Sequence, residues 1–221
     1  AEQNLGGQEI TSATSVATDL GLTYKLPLNK DEDLQLGLAL TNLGAKVSYT
    51  ESIYKDFLPA NFSLGGAYNV DFDEYNSFTL IAEVNKLMAP TPIHPESDDY
   101  DTNGNNVPDY REQSVVEGIL NSWSDAPGGF EEELREFNFS FGAEYWYDQQ
   151  FAVRAGYFTE HRLKGNRKYL TLGLGVKYNV FGLNFSYLVP TNGQRNPLDN
   201  TLRFSLIFDF EAFKANRSES G

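Results

Sequence analysis

The chain has no cysteine and only one methionine, two tryptophans and two histidines among its 221 residues. The absence of cysteine neither requires nor excludes an oxidising compartment. His94 and His161 fall in different predicted loops, so the sequence offers little for a zinc site or a Ser-His-acid triad. Glu160, beside His161, is interpreted as a charged loop edge rather than as half of an acid–base pair. An enzyme is therefore the least favoured class of function, and the protein is expected not to be one.

Long apolar runs are also missing, because no stretch approaches the roughly 18 residues that a membrane-spanning helix needs. The mean hydropathy is −0.44 and the formal charge is −14. These values exclude a helical membrane protein, but not a barrel, whose strands alternate between lipid-facing and lumen-facing residues. Since no secretory signal peptide is present at Ala1, we expect either that it has been removed or that the chain starts inside a longer protein.

What the sequence does contain is alternation with a period of two. In LQLGLALT, 34–41, every second residue is leucine and the others are small or polar, and FNFSFGAEY, 137–145, repeats the pattern with aromatic residues. Small and polar residues on the second face suit a lumen better than a close-packed core. Such segments predict nine strands, near 12–25, 33–42, 60–71, 77–87, 134–147, 150–161, 168–180, 183–189 and 200–210.

The last of these segments, TLRFSLIFDF, carries an apolar residue at every second position and ends in phenylalanine. An outer-membrane barrel finishes in this way, although the edge strand of a soluble sandwich can have the same pattern. The whole chain favours the first, so we predict an all-β fold, a transmembrane antiparallel β-barrel. Residues 1–11 are assigned to a loop end, 12–210 to barrel strands and 211–221 to a tail. Phe204, Phe208 and Phe210 are the predicted assembly signal.

The predicted connections alternate between short and long, as brief periplasmic turns and longer extracellular loops do in such barrels. The long ones are 43–59, 89–133, 161–167 and 190–199. The first strand in the chain then runs toward the periplasm, so an odd number of strands must precede it if both termini are periplasmic. An open sheet edge in lipid leaves backbone groups unpaired, and we therefore expect upstream residues or another subunit to supply the remaining wall.

Six long segments, in this order along the chain, resemble the PorV-like outer-membrane barrels of the type IX secretion system, which belong to the FadL-like group. They are LGLALTNLGAKVSYTE, KDFLPANFSLGGAY, FTLIAEVNKLMAP, SWSDAPGGFEEELRE, EYWYDQQFAVRAGYFTEH and VFGLNFSYLVPTN, within 34–210. The family's barrel has fourteen strands, so the resemblance implies that this chain is the C-terminal nine. The five strands then missing are an odd number. The acidic segment 94–117 matches no motif of the family.

The resemblance implies a non-enzymatic role in protein export at the outer membrane of a Gram-negative bacterium. Such barrels accept cargo bearing a C-terminal signal domain from the large type IX translocon barrel. They pass it to the sortase-like surface attachment complex, so these components and outer-membrane lipid are the expected partners, and no nucleic acid is expected. The alternative is a FadL-like transporter of a hydrophobic small molecule, which should show a wide apolar pocket opening through the wall.

Within 89–133, the stretch DTNGNNVPDYRE has the spacing of a calcium loop. The positions that supply oxygen in such a loop are Asp101, Asn103, Asn105, the Val107 carbonyl, Asp109 and Glu112. Asn106 stands where glycine is usual, but asparagine tolerates a positive φ. The segment 89–133 holds eleven acidic residues and one basic residue, Arg111. Calcium is the predicted cofactor, and an acidic solvated loop without an ion is the alternative.

The same segment contains Trp123, between small and turn-forming residues and after a predicted short helix at 114–121. An exposed loop tryptophan is a candidate partner contact, and the alternative is a tryptophan that packs the loop onto the barrel. Lumen-facing residues such as Glu83, Glu144 and Arg154 are assigned to structural hydrogen bonding.

Overall fold

The computed structural model describes residues 3–5, 8–10, 14–48, 55–193 and 201–209. Within them the chain forms eleven strands and three short helices. The strands are β1 (Gln3–Leu5), β2 (Gln8–Ile10), β3 (Ala17–Pro27), β4 (Glu32–Gly44), β5 (Asn61–Asp71), β6 (Asn76–Leu87), β7 (Phe137–Tyr147), β8 (Phe151–Thr159), β9 (Lys168–Tyr178), β10 (Phe181–Pro190) and β11 (Leu202–Phe208). The helices are α1 (Asp109–Glu112), α2 (Val115–Asn121) and α3 (Phe130–Arg135). No helix in these ranges is long and apolar enough to cross a membrane.

In the described part of the chain, nine strands form a single open sheet in the order β11-β10-β9-β8-β7-β6-β5-β4-β3. Every strand pairs with its neighbours in sequence, so the connections are simple antiparallel hairpins and longer returns. The predicted all-β class and the count of nine strands are confirmed. An open sheet of this kind fits part of a barrel, and the fourteen-strand total stays a prediction. A separate hairpin of β1 and β2 lies in the segment predicted as a loop end.

Two predicted strand boundaries were wrong. The first wall strand was predicted from residue 12, but β3 begins at Ala17. The fifth was predicted from residue 134, but α3 occupies Phe130–Arg135 and β7 begins at Phe137. Gly129, with φ of 69°, turns the chain into α3, and three glutamates in the first turn suit the positive end of that helix.

The chain divides into two compact units. Unit 1 comprises Ala1–Leu22, Leu38–Ser63 and Asn85–Phe137, and unit 2 comprises Thr23–Gly37, Leu64–Val84 and Asn138–Gly221. Unit 1 therefore contains the long acidic segment and the three helices, and unit 2 contains most of β7 to β11.

In unit 2, the strand register places apolar side chains in rows across one face of the sheet. One row runs through cross-strand partners of β7 to β11, namely Tyr145, Val153, Leu174, Phe185 and Phe204. All five are exposed, Phe204 to 75%. Most of the residues that alternate with this face are small or polar, with exceptions such as Trp146, Phe158 and Ile207. A contiguous exposed apolar face is unfavourable in water, and hydrocarbon chains of a bilayer would satisfy it.

In unit 1, the helix α2 corresponds to the short helix predicted at 114–121, and it begins with a capping box. The Ser114 side chain accepts a hydrogen bond from the backbone N–H of Glu117, and the Glu117 carboxylate accepts one from the N–H of Ser114. These bonds hold the pKa of Glu117 below its usual value. Gly118 is buried against the ring of Phe57, where an added Cβ would lie 2.6 Å from the nearest ring carbon. The prediction of this short helix is confirmed.

Candidate functional site

The side chains of the predicted calcium loop form one hydrogen-bonded cluster. The Glu112 carboxylate accepts hydrogen bonds from the amide groups of Asn103 and Asn105, at 2.7 and 2.6 Å. The Asp101 carboxylate accepts two from the backbone N–H groups of Asn105 and Asn106, at 3.1 and 2.7 Å. Loop positions 1, 3, 5 and 12 therefore converge, although they are spread over twelve residues of sequence.

The remaining predicted positions are arranged differently. The Asp109 carboxylate accepts hydrogen bonds from the hydroxyl and the backbone N–H of Thr102, so it faces the start of the loop. Val107 donates its N–H to the Asn105 side-chain oxygen at 2.7 Å. Asn106 has φ of 66°, the left-handed conformation that glycine usually supplies at this position. The backbone thus makes the sharp turn of a calcium loop with asparagine in place of glycine.

The exit of this loop is fastened to the segment after β4. The Lys46 ammonium donates hydrogen bonds to the carbonyl of Arg111, at 2.8 Å, and to the carbonyl of Gln113. It also lies 4.1 Å from the centre of the Phe57 ring, a cation–π contact. Burial lowers the pKa of Lys46, and the nearby charge of Glu117 opposes that shift. The Arg111 guanidinium pairs with Asp56 at 3.2 Å. Both carbonyl groups that flank Glu112 in sequence are therefore held in place.

Trp123 packs the long segment onto strands, which was the alternative considered for it, and its contact with a partner stays a prediction. Its ring packs edge-on against Phe62, with centroids 5.1 Å apart, and at a tilt against Phe137, at 6.3 Å. Phe62 belongs to β5 and Phe137 is the first residue of β7, so the tryptophan packs the long segment onto strands of unit 1. Its side chain is nevertheless 42% exposed, which leaves part of the ring available to a partner.

A cluster that sequence reasoning missed joins Lys86 to two acidic residues of the long segment 89–133 and to a third just after it. Asp125, Glu133 and Glu136 have carboxylate oxygens within 4.8 Å of one another, an arrangement that could hold a metal ion. The Lys86 ammonium, however, lies 3.0 Å from Glu133 and 2.6 Å from Glu136. Lys86 is 0% exposed. The protein's own ammonium thus supplies the positive charge of this cluster.

Backbone and hydroxyl groups complete the cluster. Thr91 donates its hydroxyl to Asp125 at 3.1 Å and to Glu136 at 2.8 Å, and its N–H binds Asp125 at 3.0 Å. The N–H of Ala126 binds Glu133 at 2.7 Å. Burial raises the pKa of Asp125, and the charges of Glu133 and Glu136 add to that rise while the Thr91 hydrogen bonds oppose it. The cluster ties four separate stretches of unit 1 together.

Unit 2 contains a polar group on the other face of its sheet. Arg154 donates hydrogen bonds to its cross-strand partner Glu144 and to Asn184, the latter at 2.7 Å. These residues line a cavity of about 620 Å³, together with apolar residues such as Ile81. Gly173, the partner of Arg154 on β9, leaves room for the arginine stem, and Gly175 leaves room for the guanidinium, since an added Cβ there would lie 2.7 Å from Nη1. The predicted hydrogen-bonding role of Glu144 and Arg154 fits this geometry.

The histidines take part in local turns. His94 and His161 each accept a backbone N–H with Nδ1, from Glu96 and Leu163 respectively, both at 3.2 Å. Glu160 is buried and pairs with Arg167 at 2.8 Å rather than with the adjacent histidine. That pairing raises the pKa of Arg167.

Two of the predicted assembly-signal residues, Phe204 and Phe208, lie on the exposed apolar face. Phe204 is the cross-strand partner of Phe185, and Phe208 is that of Phe181. The rings of Phe181 and Phe208 are edge-on, with centroids 5.3 Å apart. Phe210 lies outside the described residues.

The chain was compared with models of known protein families. The family model described as type IX secretion system protein PorV matches residues 7–94. The resemblance noted from the sequence is thereby confirmed over these residues, and it supports a role in type IX secretion and a place among outer-membrane proteins. No curated protein matches the chain.

Proposed function

Because residues 7–94 match the PorV family of the type IX secretion system, we propose that this chain is a cargo-handling component of that system. It accepts cargo bearing the C-terminal signal domain from the large translocon barrel and delivers it to the sortase-like attachment complex at the cell surface. The family match is the observation that carries this proposal.

The exposed apolar face of the sheet supports a position in the outer membrane. Side chains such as Phe204 and Leu174, 75% and 58% exposed, would be unfavourable in contact with water. The opposite face carries the Glu144–Arg154 pair and glycines, as expected for residues that do not meet lipid.

The long segment of unit 1 is the proposed partner surface. It is acidic, it is folded onto strands of unit 1 by Trp123 and Lys86, and part of the Trp123 ring is exposed. A surface that is ordered before binding loses less entropy when a partner docks. Tryptophan is enriched among residues that dominate binding energy. Trp123 is therefore the first candidate for a contact with translocon or cargo.

We further propose that the loop 101–112 binds one calcium ion. The carboxylates of Asp101 and Glu112 and the side-chain oxygens of Asn103 and Asn105 lie in one cluster, and Asn106 makes the turn that such a loop needs. Amide oxygen and nitrogen can exchange places by rotation of the side chain, so both asparagines could turn oxygen toward an ion. Extracellular sites of this kind have Kd values of about 10⁻⁴–10⁻³ M. Bound calcium would order the loop at the edge of the partner surface.

An affinity purification in mild detergent, analysed by mass spectrometry, tests the export role. The tagged protein is expected to retain the large translocon barrel and proteins that carry the C-terminal signal domain. An unrelated tagged outer-membrane barrel serves as the control. Retention of neither component by the protein would contradict the proposal.

A pair of variants tests the role of Trp123 in the same experiment. Trp123→Ala should reduce recovery of translocon or cargo, whereas Trp123→Phe keeps an aromatic ring against Phe62 and should lose less. Equal recovery with Trp123→Ala and wild type would exclude Trp123 as a contact.

A further inference from the structure

Unit 1 contains a groove of about 450 Å³ that is lined only by apolar residues and glycine. Its floor includes Leu40, Leu43 and Met88, and its wall is formed by α2 with Val116, Ile119 and Leu120. No lining side chain carries a hydrogen-bonding group. A molecule that binds in this groove therefore makes no hydrogen bonds with the side chains that line it.

The helix α2 carries exposed apolar side chains on the side opposite its buried Gly118. Gly118 is buried against Phe57, while Val116 and Leu120, one turn apart, are each 66% exposed. The capping box fixes the start of this helix, so the exposed pair is held in a defined orientation. Two adjacent exposed aliphatic residues beside an apolar groove form a patch, whereas single exposed ones would need no explanation.

The groove continues an exposed apolar face of the strands of unit 1. Leu38 of β4 is 38% exposed, and Leu40 follows on the same face because strand residues alternate. Asn42 has φ of 59°, which interrupts the alternation and lets Leu43 line the groove with Leu40. On β3, Leu20 and Leu22 are exposed as well. The groove therefore lies at one end of the exposed apolar surface of these strands.

We propose that the groove and the exposed side of α2 bind acyl chains of outer-membrane lipid. This inference rests on the proposed function, which places the strands in that membrane. An extended peptide in the groove would leave backbone N–H and C=O groups without partners, a cost that hydrocarbon does not have. The long segment then does not lie wholly in water: its helix α2 widens the lipid-contacting surface beyond the strands themselves.

Site-directed fluorescence in proteoliposomes tests this proposal, and the absence of native cysteine makes single-cysteine labelling simple. Val116→Cys and Leu120→Cys are each labelled with bimane in the whole protein. Each is reconstituted in phosphatidylcholine with either normal or brominated acyl chains. Leu22→Cys on β3 is the lipid-exposed reference, and Ser124→Cys, exposed on the same long segment, is the polar control.

We expect brominated lipid to quench the label at Val116→Cys and Leu120→Cys to an extent comparable to Leu22→Cys, and to leave Ser124→Cys unchanged. Quenching at Leu22→Cys alone, with the α2 labels accessible to aqueous iodide, would overturn the lipid contact but not the outer-membrane role. Protection of the α2 labels from both quenchers would assign the groove to a protein, either a second copy or another subunit. No quenching at Leu22→Cys would contradict the outer-membrane position and this inference together.

Discussion

Lys86 carries a positive charge on a face of β6 that is otherwise apolar from Phe78 onward. Phe78, Leu80, Ala82 and Val84 precede it at every second position, and Met88 follows it. An unpaired ammonium there would be costly in lipid. This cost is avoided because Glu133 of the long segment and Glu136 just after it pair with Lys86. The ammonium is therefore buried among carboxylates.

Lys86→Met should destabilise the fold of the long segment by about 3–5 kcal/mol, because two buried carboxylates would lose their cation. Limited proteolysis should show faster cleavage within 89–133. Lys30→Met, at an exposed lysine in the turn after β3, is the matched control and should not change the rate. Adding Glu133→Gln and Glu136→Gln to Lys86→Met should restore much of the protection. A wild-type cleavage rate in Lys86→Met alone would contradict the structural role of this cluster.

The raised pKa of Asp125 predicts a pH effect of unusual sign. A carboxyl group whose pKa is higher in the folded state binds more protons when folded. Its unfavourable contribution is fully present above the raised pKa, and it is relieved as the pH falls through that value toward the ordinary pKa of 3.8. Asp125→Asn should therefore make the segment at neutral pH at least as resistant to protease as the wild type. The variant should also show less change between neutral and mildly acidic pH, and an identical pH profile would exclude Asp125 as the titrating group.

At the scale of single elements, β11 is the strand on which the assembly prediction depends. Phe204→Lys would place a charge on the exposed apolar face, at a cost of about 2–4 kcal/mol if the residue lies near the bilayer centre. The adjacent Ser205 points to the other face and lines the cavity, so Ser205→Lys is the control. The amount of heat-modifiable, assembled protein should fall for the first variant and not for the second. Phe210→Asp, at a residue beyond the described strand, is expected to reduce assembly as well.

Calcium binding by the loop 101–112 is a proposal that can be tested independently of secretion. Calcium should protect 100–111 from protease in the wild type, and Asp101→Ala with Glu112→Ala should abolish that effect. Asp98→Ala, at an exposed acid just outside the loop, should keep it. Asn106→Gly supplies the residue usual at a position with positive φ and should strengthen calcium binding. Equal cleavage of wild type with calcium and with chelator would favour a solvated acidic loop without an ion.

At the scale of the whole molecule, the alternation of short and long connections predicts its orientation in the membrane. The turn between β5 and β6 should be periplasmic and the segment 89–133 extracellular. On intact cells, an impermeant thiol reagent should label Ser97→Cys and Leu163→Cys but not Glu74→Cys. Labelling of Glu74→Cys without Ser97→Cys would reverse the orientation.

The nine wall strands could be predicted from the sequence because a period of two is a local property that each strand carries by itself. The same is true of the helix α2, whose capping box lies within four residues. The starts of β3 and β7 were misplaced, since strand-like alternation does not reveal where a helix such as α3 begins.

Only the tertiary structure decided how the long segment folds. The cluster of Lys86 with Asp125, Glu133 and Glu136 joins residues up to fifty positions apart in sequence, and no local pattern connects them. The packing of Trp123 on Phe62 and the apolar groove beneath α2 depend on the same long-range contacts. The one local sign was the charge of Lys86 on an apolar strand face, because a buried ammonium requires a partner from elsewhere in the chain. Alternation thus determined which side of each strand is apolar, and packing between distant segments determined which part of that side is covered.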